Sequence, residues 1–258
     1  MLLAIDAGNT NTEFALIDGT EVRNSWRIAT DPRRTADEYA VWLTQLMALD
    51  GIDRSMVTAS IVATVVPEAL FNLTGLCRKY FNGLPLIVGD PSVKMTIRAV
   101  TDRPEEVGAD RLVTALAARD TYGCPLIVVD FGTATTFDVV DADGNFAGGV
   151  IAPGINLSLQ ALYMAAAKLP RVAIRPTPTV IARSTVPAMQ SGVFWGYIGM
   201  IEGLVQRMRA ELGQNVPVVA TGGLAPMFAG ATDHITHIDR DLIMRGLVTL
   251  YQHNRLES

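Results

Sequence analysis

The chain has 258 residues, which suits one large domain or a pair of smaller ones. Hydrophobic residues make up 49% and charged residues 18%, so a large core can form and general disorder is excluded. Twenty-one Lys and Arg against 26 Asp and Glu leave a net charge of −5, which works against a sequence-independent nucleic-acid binder, because such a protein needs a basic face to release counterions.

Strand-like and helix-like patterns then alternate along the chain. Residues 2–6 form a short apolar run and 13–17 a second, and Asp18-Gly19 is a hairpin signal leading into a third at 22–28. Residues 35–49 carry Ala36, Tyr39, Trp42, Leu43 and Leu46 at helical spacing. A buried strand is expected at 57–65, a helix with proline in its first turn at 67–80, and another strand at 84–88. In the second half, helices are expected near 155–167 and 186–212, a strand at 216–220 running into Thr221-Gly222-Gly223-Leu224, and a last helix at about 239–252. Hairpin strands followed by alternating helices and strands predict an α/β fold with mixed sheets.

The opening pattern occurs twice. Ile127-Val128-Val129-Asp130-Phe131-Gly132 repeats Leu3-Ala4-Ile5-Asp6-Ala7-Gly8 at an offset of 124, which places Thr12 on Thr136, and Asp143-Gly144 answers Asp18-Gly19 one insertion later. Strand, Asp-x-Gly turn, strand, hairpin and strand in duplicate predict two duplicated domains around an interdomain cleft. The boundary is expected within residues 112–124, giving domains 1–116 and 117–258.

Two cysteines, Cys77 and Cys124, are too few for a disulfide framework or a four-ligand zinc site, and both are expected as buried thiols. The amino terminus has no basic segment, and the longest apolar stretch, 148–169, is broken by Pro153, Asn156, Ser158 and Gln160. Neither a signal peptide nor a membrane span is expected, so a soluble, cytoplasmic protein without membrane partners is.

Chemistry concentrates in the two turns. In Asp6-Ala7-Gly8-Asn9-Thr10-Asn11-Thr12, glycine admits close backbone approach, hydroxyls and amide N–H groups can surround phosphate oxygens, and the aspartate can hold a hydrated Mg²⁺ beside them. One such turn alone is better explained by conformational preference. The second copy, Asp130-Phe131-Gly132-Thr133-Ala134-Thr135-Thr136, reverses that balance. No Walker loop or Gly-x-Gly-x-x-Gly is present, so a nucleotide here is held by hairpins.

Gly108-Ala109-Asp110-Arg111 precedes a strong helix former. Asp110 reads as a helix N-cap, and equally as the group that accepts a hydrogen bond from a substrate hydroxyl attacking a γ-phosphate; the two are compatible. Arg111 can clamp a carboxylate or lie solvated on the helix. Gly148-Gly149-Val150-Ile151-Ala152-Pro153-Gly154 is either a close approach to substrate or a strand exit, and Ser184-Thr185 is a helix cap before it is a ligand contact. The three histidines form no metal or nucleophile constellation and read as surface or satisfied residues.

Together these blocks resemble the type III pantothenate kinases of the acetate kinase, sugar kinase, heat-shock ATPase and actin superfamily. The resemblance also includes Val65-Val66-Pro67, Pro104-Glu105-Glu106-Val107, Leu169-Pro170 and Thr185-x-x-Ala188-Met189-Gln190-Ser191-Gly192, and it covers nearly the whole chain. It implies ribonuclease H-like (actin-type ATPase) domains and transfer of the γ-phosphoryl of ATP to the primary hydroxyl of pantothenate. It further implies Asp110 as general base, residues 6–12 and Thr133 holding ATP, and Asp6 positioning Mg²⁺. Asp130 is implied as the ligand of a monovalent cation, potassium or ammonium, and Gly108 to Arg111 with Thr185 as pantothenate contacts. A homodimer completing the pantothenate pocket at its interface is implied as well. Many members carry tyrosine seven residues before the Gly of Gly-Ala-Asp-Arg; here Thr101 stands there, so that pantothenate contact is lost or supplied differently. The rival readings are another small-molecule kinase of the superfamily and a non-catalytic accessory protein on the same fold, and the intact Asp110 argues against the second.

Overall fold

The computed structural model describes residues 1–166 and 169–256. It consists of two compact units, Met1–Asp120 with Asp241–Ser258, and Thr121–Arg240. The first unit opens with β1 (Leu2–Ala7), β2 (Asn11–Asp18) and β3 (Glu21–Ala29), followed by α1 (Ala36–Leu49), β4 (Ala59–Thr64), α2 (Pro67–Tyr80), β5 (Leu86–Ile87) and α3 (Ala109–Tyr122). The second contains β6 (Leu126–Phe131), β7 (Ala134–Val140), β8 (Phe146–Pro153), α4 (Ile155–Ala165), α5 (Thr185–Leu212), β9 (Val218–Thr221), α6 (Ala225–Ala229) and β10 (His237–Ile238). The last helix, α7 (Leu242–Leu256), belongs to the first unit and packs on β1 and β4.

Sheet order is β3-β2-β1-β4-β5 in one unit and β8-β7-β6-β9-β10 in the other. In each, the central strand pairs antiparallel with its hairpin partner and parallel with the strand that follows the crossover. The duplication read from two short turns therefore extends to the whole sheet. Central strands β1 and β6 are buried almost throughout, whereas β3 alternates half-buried Val22, Asn24, Trp26 and Ile28 with exposed neighbours, as an edge strand covered on one face must.

Local signals set the helices of the first unit. Thr35 and Glu38 form a reciprocal capping box, Glu38 N–H donating to the Thr35 hydroxyl and Thr35 N–H to the Glu38 carboxylate, so α1 starts where its first amides find partners. Pro67 at the first position of α2 costs no hydrogen bond. Leu3, Ile5, Phe14 and Leu16 bury one face of the sheet against Tyr39, Leu43 and Leu73 of these helices. Gly246 lets α7 close on α3: a Cβ there would fall 2.3 Å from the Val113 carbonyl oxygen. In the second unit, Ile127, Val129 and Phe137 meet Phe194, Ile201 and Phe228, with Phe228 stacked on Phe131 at 5.2 Å.

The expected elements all form, with adjusted ends. Strand β8 absorbs the Gly148–Pro153 stretch, and Gly149 fits because a Cβ would lie 2.0 Å from the Phe137 carbonyl oxygen on β7. Ala167, expected in the helix after β8, lies outside the described residues. Short α6 and β10 carried no periodic signal. Cys124 departs from expectation: it is exposed, because Gly123 to Pro125 form the turn into β6 and not part of the sheet, whereas Cys77 is buried and its thiol is pushed up to about 11 by that burial. Among the described residues no helix is long and apolar enough to cross a membrane.

Removing the α1 cap isolates its contribution. Thr35→Ala is expected to lower unfolding free energy by about 1 kcal/mol and Thr35→Gly by only a few tenths, measured by urea denaturation at constant m-value.

Candidate active site

Both sheets end their central strand in a tight turn. In the first unit β1 pairs with β2 as far as Ala7 and Thr12, and Gly8 N–H donates to the Asn11 carbonyl at 3.0 Å, leaving Asn9 and Thr10 exposed at the tip. In the second, β6 pairs with β7 as far as Phe131 and Thr135, and Gly132 N–H donates to the Ala134 carbonyl at 3.0 Å, leaving Thr133 at the tip. The second turn is one residue shorter, so the offset that set Thr12 on Thr136 slips by one across it. Thr135 is the structural counterpart of Thr12, and both are buried beneath their turns.

Each turn is held from behind by the residue that follows the third strand. Thr30, after β3, donates its N–H to the Thr10 carbonyl at 3.0 Å and its hydroxyl to the Gly8 carbonyl at 2.7 Å. That uses its one hydroxyl proton, so the Thr12 hydroxyl at 2.9 Å donates to Thr30. Gly154, after β8, donates its N–H to the Thr133 carbonyl at 3.1 Å. A Cβ at Gly154 would lie 2.1 Å from that carbonyl oxygen, so only glycine lets the two backbones meet. Neither Thr30 nor this use of Gly154 was legible in the sequence, since both depend on the pairing of the third strand.

The first sheet brings Asp110 to the same end as the Asp6 turn. Ala7 is buried and contributes its carbonyl, which accepts from Val65 N–H at 3.2 Å and the Thr64 hydroxyl at 3.1 Å. The Val65 side chain in turn borders Gly108, two residues before Asp110. Asp110 is the second residue of α3, inside its first turn and not at the cap. Its Oδ1 accepts from Arg111 N–H at 2.8 Å. Burial pushes the Asp110 carboxyl above the ordinary aspartate value, against the opposing pull of the Arg111 N–H and the Arg111 charge. Ala109 and Arg111 are half-buried beside it.

In the second unit Asp130, next to last on β6, lies opposite Thr221 of β9. The next residue on that strand's exit, Gly222, has φ +89°, and a Cβ there would lie 2.8 Å from Asp130 Oδ1 and 2.7 Å from the Phe131 carbonyl oxygen. The backbone of Gly222 thus closes directly on the carboxylate, a contact the sequence alone left unread. Thr185 opens α5, exposed, and with Pro153, Leu162, Ser184, Met189 and Tyr197 lines an open cavity of about 890 Å³. The Tyr197 hydroxyl donates to the Pro153 carbonyl at 2.7 Å and accepts from Ser158 at 2.8 Å, tying β8, α4 and α5 together along one wall.

Among the described residues no three His, Cys, Asp or Glu side chains gather into a metal cage. A Mg²⁺ ion that shares its shell with phosphate and water needs only one or two carboxylates. Asp130 Oδ1 and the Phe131 carbonyl, which meet at Gly222, are oxygen donors of that kind, and Asp6, next to last on β1, supplies a carboxylate at the same end of its own sheet.

Duplicated five-stranded mixed sheets, each ending its central strand in an acid and a glycine turn, define the actin-like ATPase and sugar-kinase fold. Consistent with this, the structure aligns over 98% of the chain, at TM-score 0.61 and 20% identity, with a protein assigned to the Baf family of transcriptional activators from Campylobacter jejuni, 99% of which is covered. It also aligns, at TM-score 0.52 and 9% identity over 99% of this chain and 96% of the other, with the ADPNP-bound activator of 2-hydroxyisocaproyl-CoA dehydratase from Clostridium difficile. The family model for type III pantothenate kinase matches residues 2–207, and the type III pantothenate kinase of Paramagnetospirillum magneticum is 61% identical over 254 residues, 98% of each chain. The chain belongs to the type III pantothenate kinase family.

The burial of Asp110 has a consequence for stability. A raised folded pKa means that ionised Asp110 destabilises the folded protein at neutral pH, and the effect is relieved as pH falls through that pKa. Asp110→Asn keeps the oxygen that accepts from Arg111 and removes the buried charge. It is expected to raise Tm at neutral pH, with the gain shrinking as the pH enters the acid range, as thermal melts across that range will test.

Proposed function

We infer that this chain transfers the γ-phosphoryl group of ATP to the primary hydroxyl of pantothenate, giving 4′-phosphopantothenate and ADP, the first step of coenzyme A biosynthesis. The observation that carries the chemistry is the Asp110 carboxylate, half-buried at the start of α3 at the same end of the first sheet as the Asp6 turn. The pantothenate hydroxyl oxygen forms a bond to the γ-phosphorus as the bond from that phosphorus to the ADP oxygen breaks, and the hydroxyl proton passes to Asp110. Phosphoryl transfer of this kind depends on orientation and charge more than on a strong base, so an aspartate suffices. Its raised pKa brings it closer to matching the proton it receives.

The roles of the remaining residues follow the same reading. Asp6 to Thr12 and Thr133 hold the phosphates of ATP through tip hydroxyls and backbone amides, with Thr30 and Gly154 bracing the two turns from behind. Asp6 holds Mg²⁺, and Asp130, braced by Gly222, holds potassium or ammonium; bound cations supply charge that offsets the phosphates. Gly108 to Arg111 and Thr185 face pantothenate, with Arg111 suited to its carboxylate. The protein acts as a homodimer, a second chain completing the pantothenate pocket, as the resemblance to the family implies.

ADP release tests the reading. With ATP and Mg²⁺, turnover is expected only when pantothenate is added, and it is expected to fall when sodium replaces potassium. Asp110→Asn is expected to abolish turnover while ATP still binds, measured calorimetrically. Pantothenate-independent turnover, or none in potassium buffer, would overturn the assignment.

A further inference from the structure

Residue 108 is glycine for a reason its own backbone does not supply. Its φ lies outside the left-handed region, so conformational freedom does not require the residue. The constraint comes from Asp110. A Cβ at position 108 would lie 2.6 Å from Asp110 Oδ1, well inside contact distance, and 3.5 Å from Val65 Cγ1. The same Oδ1 accepts the Arg111 N–H at 2.8 Å. One carboxylate oxygen is thus held between a backbone amide and the space that the missing side chain leaves.

We propose that Gly108 is a positioning residue for Asp110, its lack of a side chain letting Oδ1 dock on the Arg111 amide and so aiming Oδ2 at the acceptor hydroxyl. This rests on the reading of Asp110 as the base. A methyl group at 108 meets the tip of a side chain and not backbone, so Asp110 gives way and the chain still folds. The carboxylate then swings off the Arg111 amide, and the oxygen that must meet the hydroxyl swings with it. Displacements of this size matter because the reaction depends on near-attack geometry.

Within the Gly108 to Arg111 segment that faces pantothenate, Gly108 acts through Asp110 and not through a contact of its own with the substrate. Gly108→Ala is expected to keep the wild-type circular dichroism spectrum and to lower kcat by about 10- to 100-fold. KM for ATP and pantothenate should stay within about threefold of wild type, since the lost interaction acts only in the transition state. The acid limb of the kcat profile should also move to higher pH, because loss of the Arg111 N–H bond removes a contact that lowers the Asp110 pKa. In Asp110→Asn, whatever residual rate survives should be unchanged by adding Gly108→Ala.

The alternatives give different results. An unchanged kcat and pH profile in folded Gly108→Ala, with Asp110→Asn inactive, would overturn the positioning role and leave the base assignment standing. A raised pantothenate KM with unaltered kcat would make Gly108 a substrate contact. Full turnover in Asp110→Asn would overturn the base assignment and this inference together. If Gly108→Ala fails to fold, the clash is with more than the Asp110 tip and the inference is overturned on that ground.

Discussion

Strands β1 and β6 each lie between an antiparallel hairpin partner and a parallel crossover strand, so their backbone groups are satisfied on both sides and their side chains are buried. A carboxylate is tolerated on such a strand only at its carboxyl end, where the sheet stops and the chain must turn. Asp6 and Asp130 stand there, and the glycine turns that follow put amides and hydroxyls at the sheet edge where ligands of α/β folds are held. The rest of each unit serves to keep that edge in place: the third strand braces the turn, and the parallel neighbour presses its exit onto the end of the central strand.

The two units meet this demand with different parts. The first turn has a two-residue tip and is braced by a threonine hydroxyl and amide; the second has a one-residue tip and is braced by a glycine amide whose backbone comes too close for any side chain. Around Asp130, Gly222 occupies the corresponding tight place against the carboxylate. Around Asp110 it is Gly108. Glycines that look like loop punctuation in the sequence instead act as clearances that set where acidic oxygens point.

The helices and strands were legible where local chemistry decides. The capping box at Thr35 and Glu38, Pro67 opening α2, and the Gly19 hairpin turn at φ +65° each act within a few residues, and periodicity supplied the long elements. The resemblance of the Gly-Ala-Asp-Arg block and the duplicated turns to one family named the activity. What escaped was set by contacts distant in sequence. Thr30 looks like any threonine until β3 pairs with β2 and brings its hydroxyl to Gly8. Tyr197 lies on a long helix with no local sign that its hydroxyl reaches Pro153 and Ser158. Cys124 sits in an apolar stretch and is exposed all the same, because the turn into β6 lifts it off the sheet.

By itself, the sequence determined that this chain forms two copies of one α/β pattern, that each copy ends a buried strand in an acid and a glycine, and that Asp110 begins a helix. These follow from alternation, helical spacing and turn residues, all of which act over distances shorter than a secondary-structure element. Only the tertiary structure decided that Thr135 and not Thr136 answers Thr12, that α7 returns to the first unit to cover β1 and β4, and that Gly108 and Gly222 each close on a carboxylate. Those outcomes depend on register, on helix docking and on where two backbones can approach within about 3 Å. Each of these is settled by hydrogen-bond pairing and packing between residues far apart in the chain.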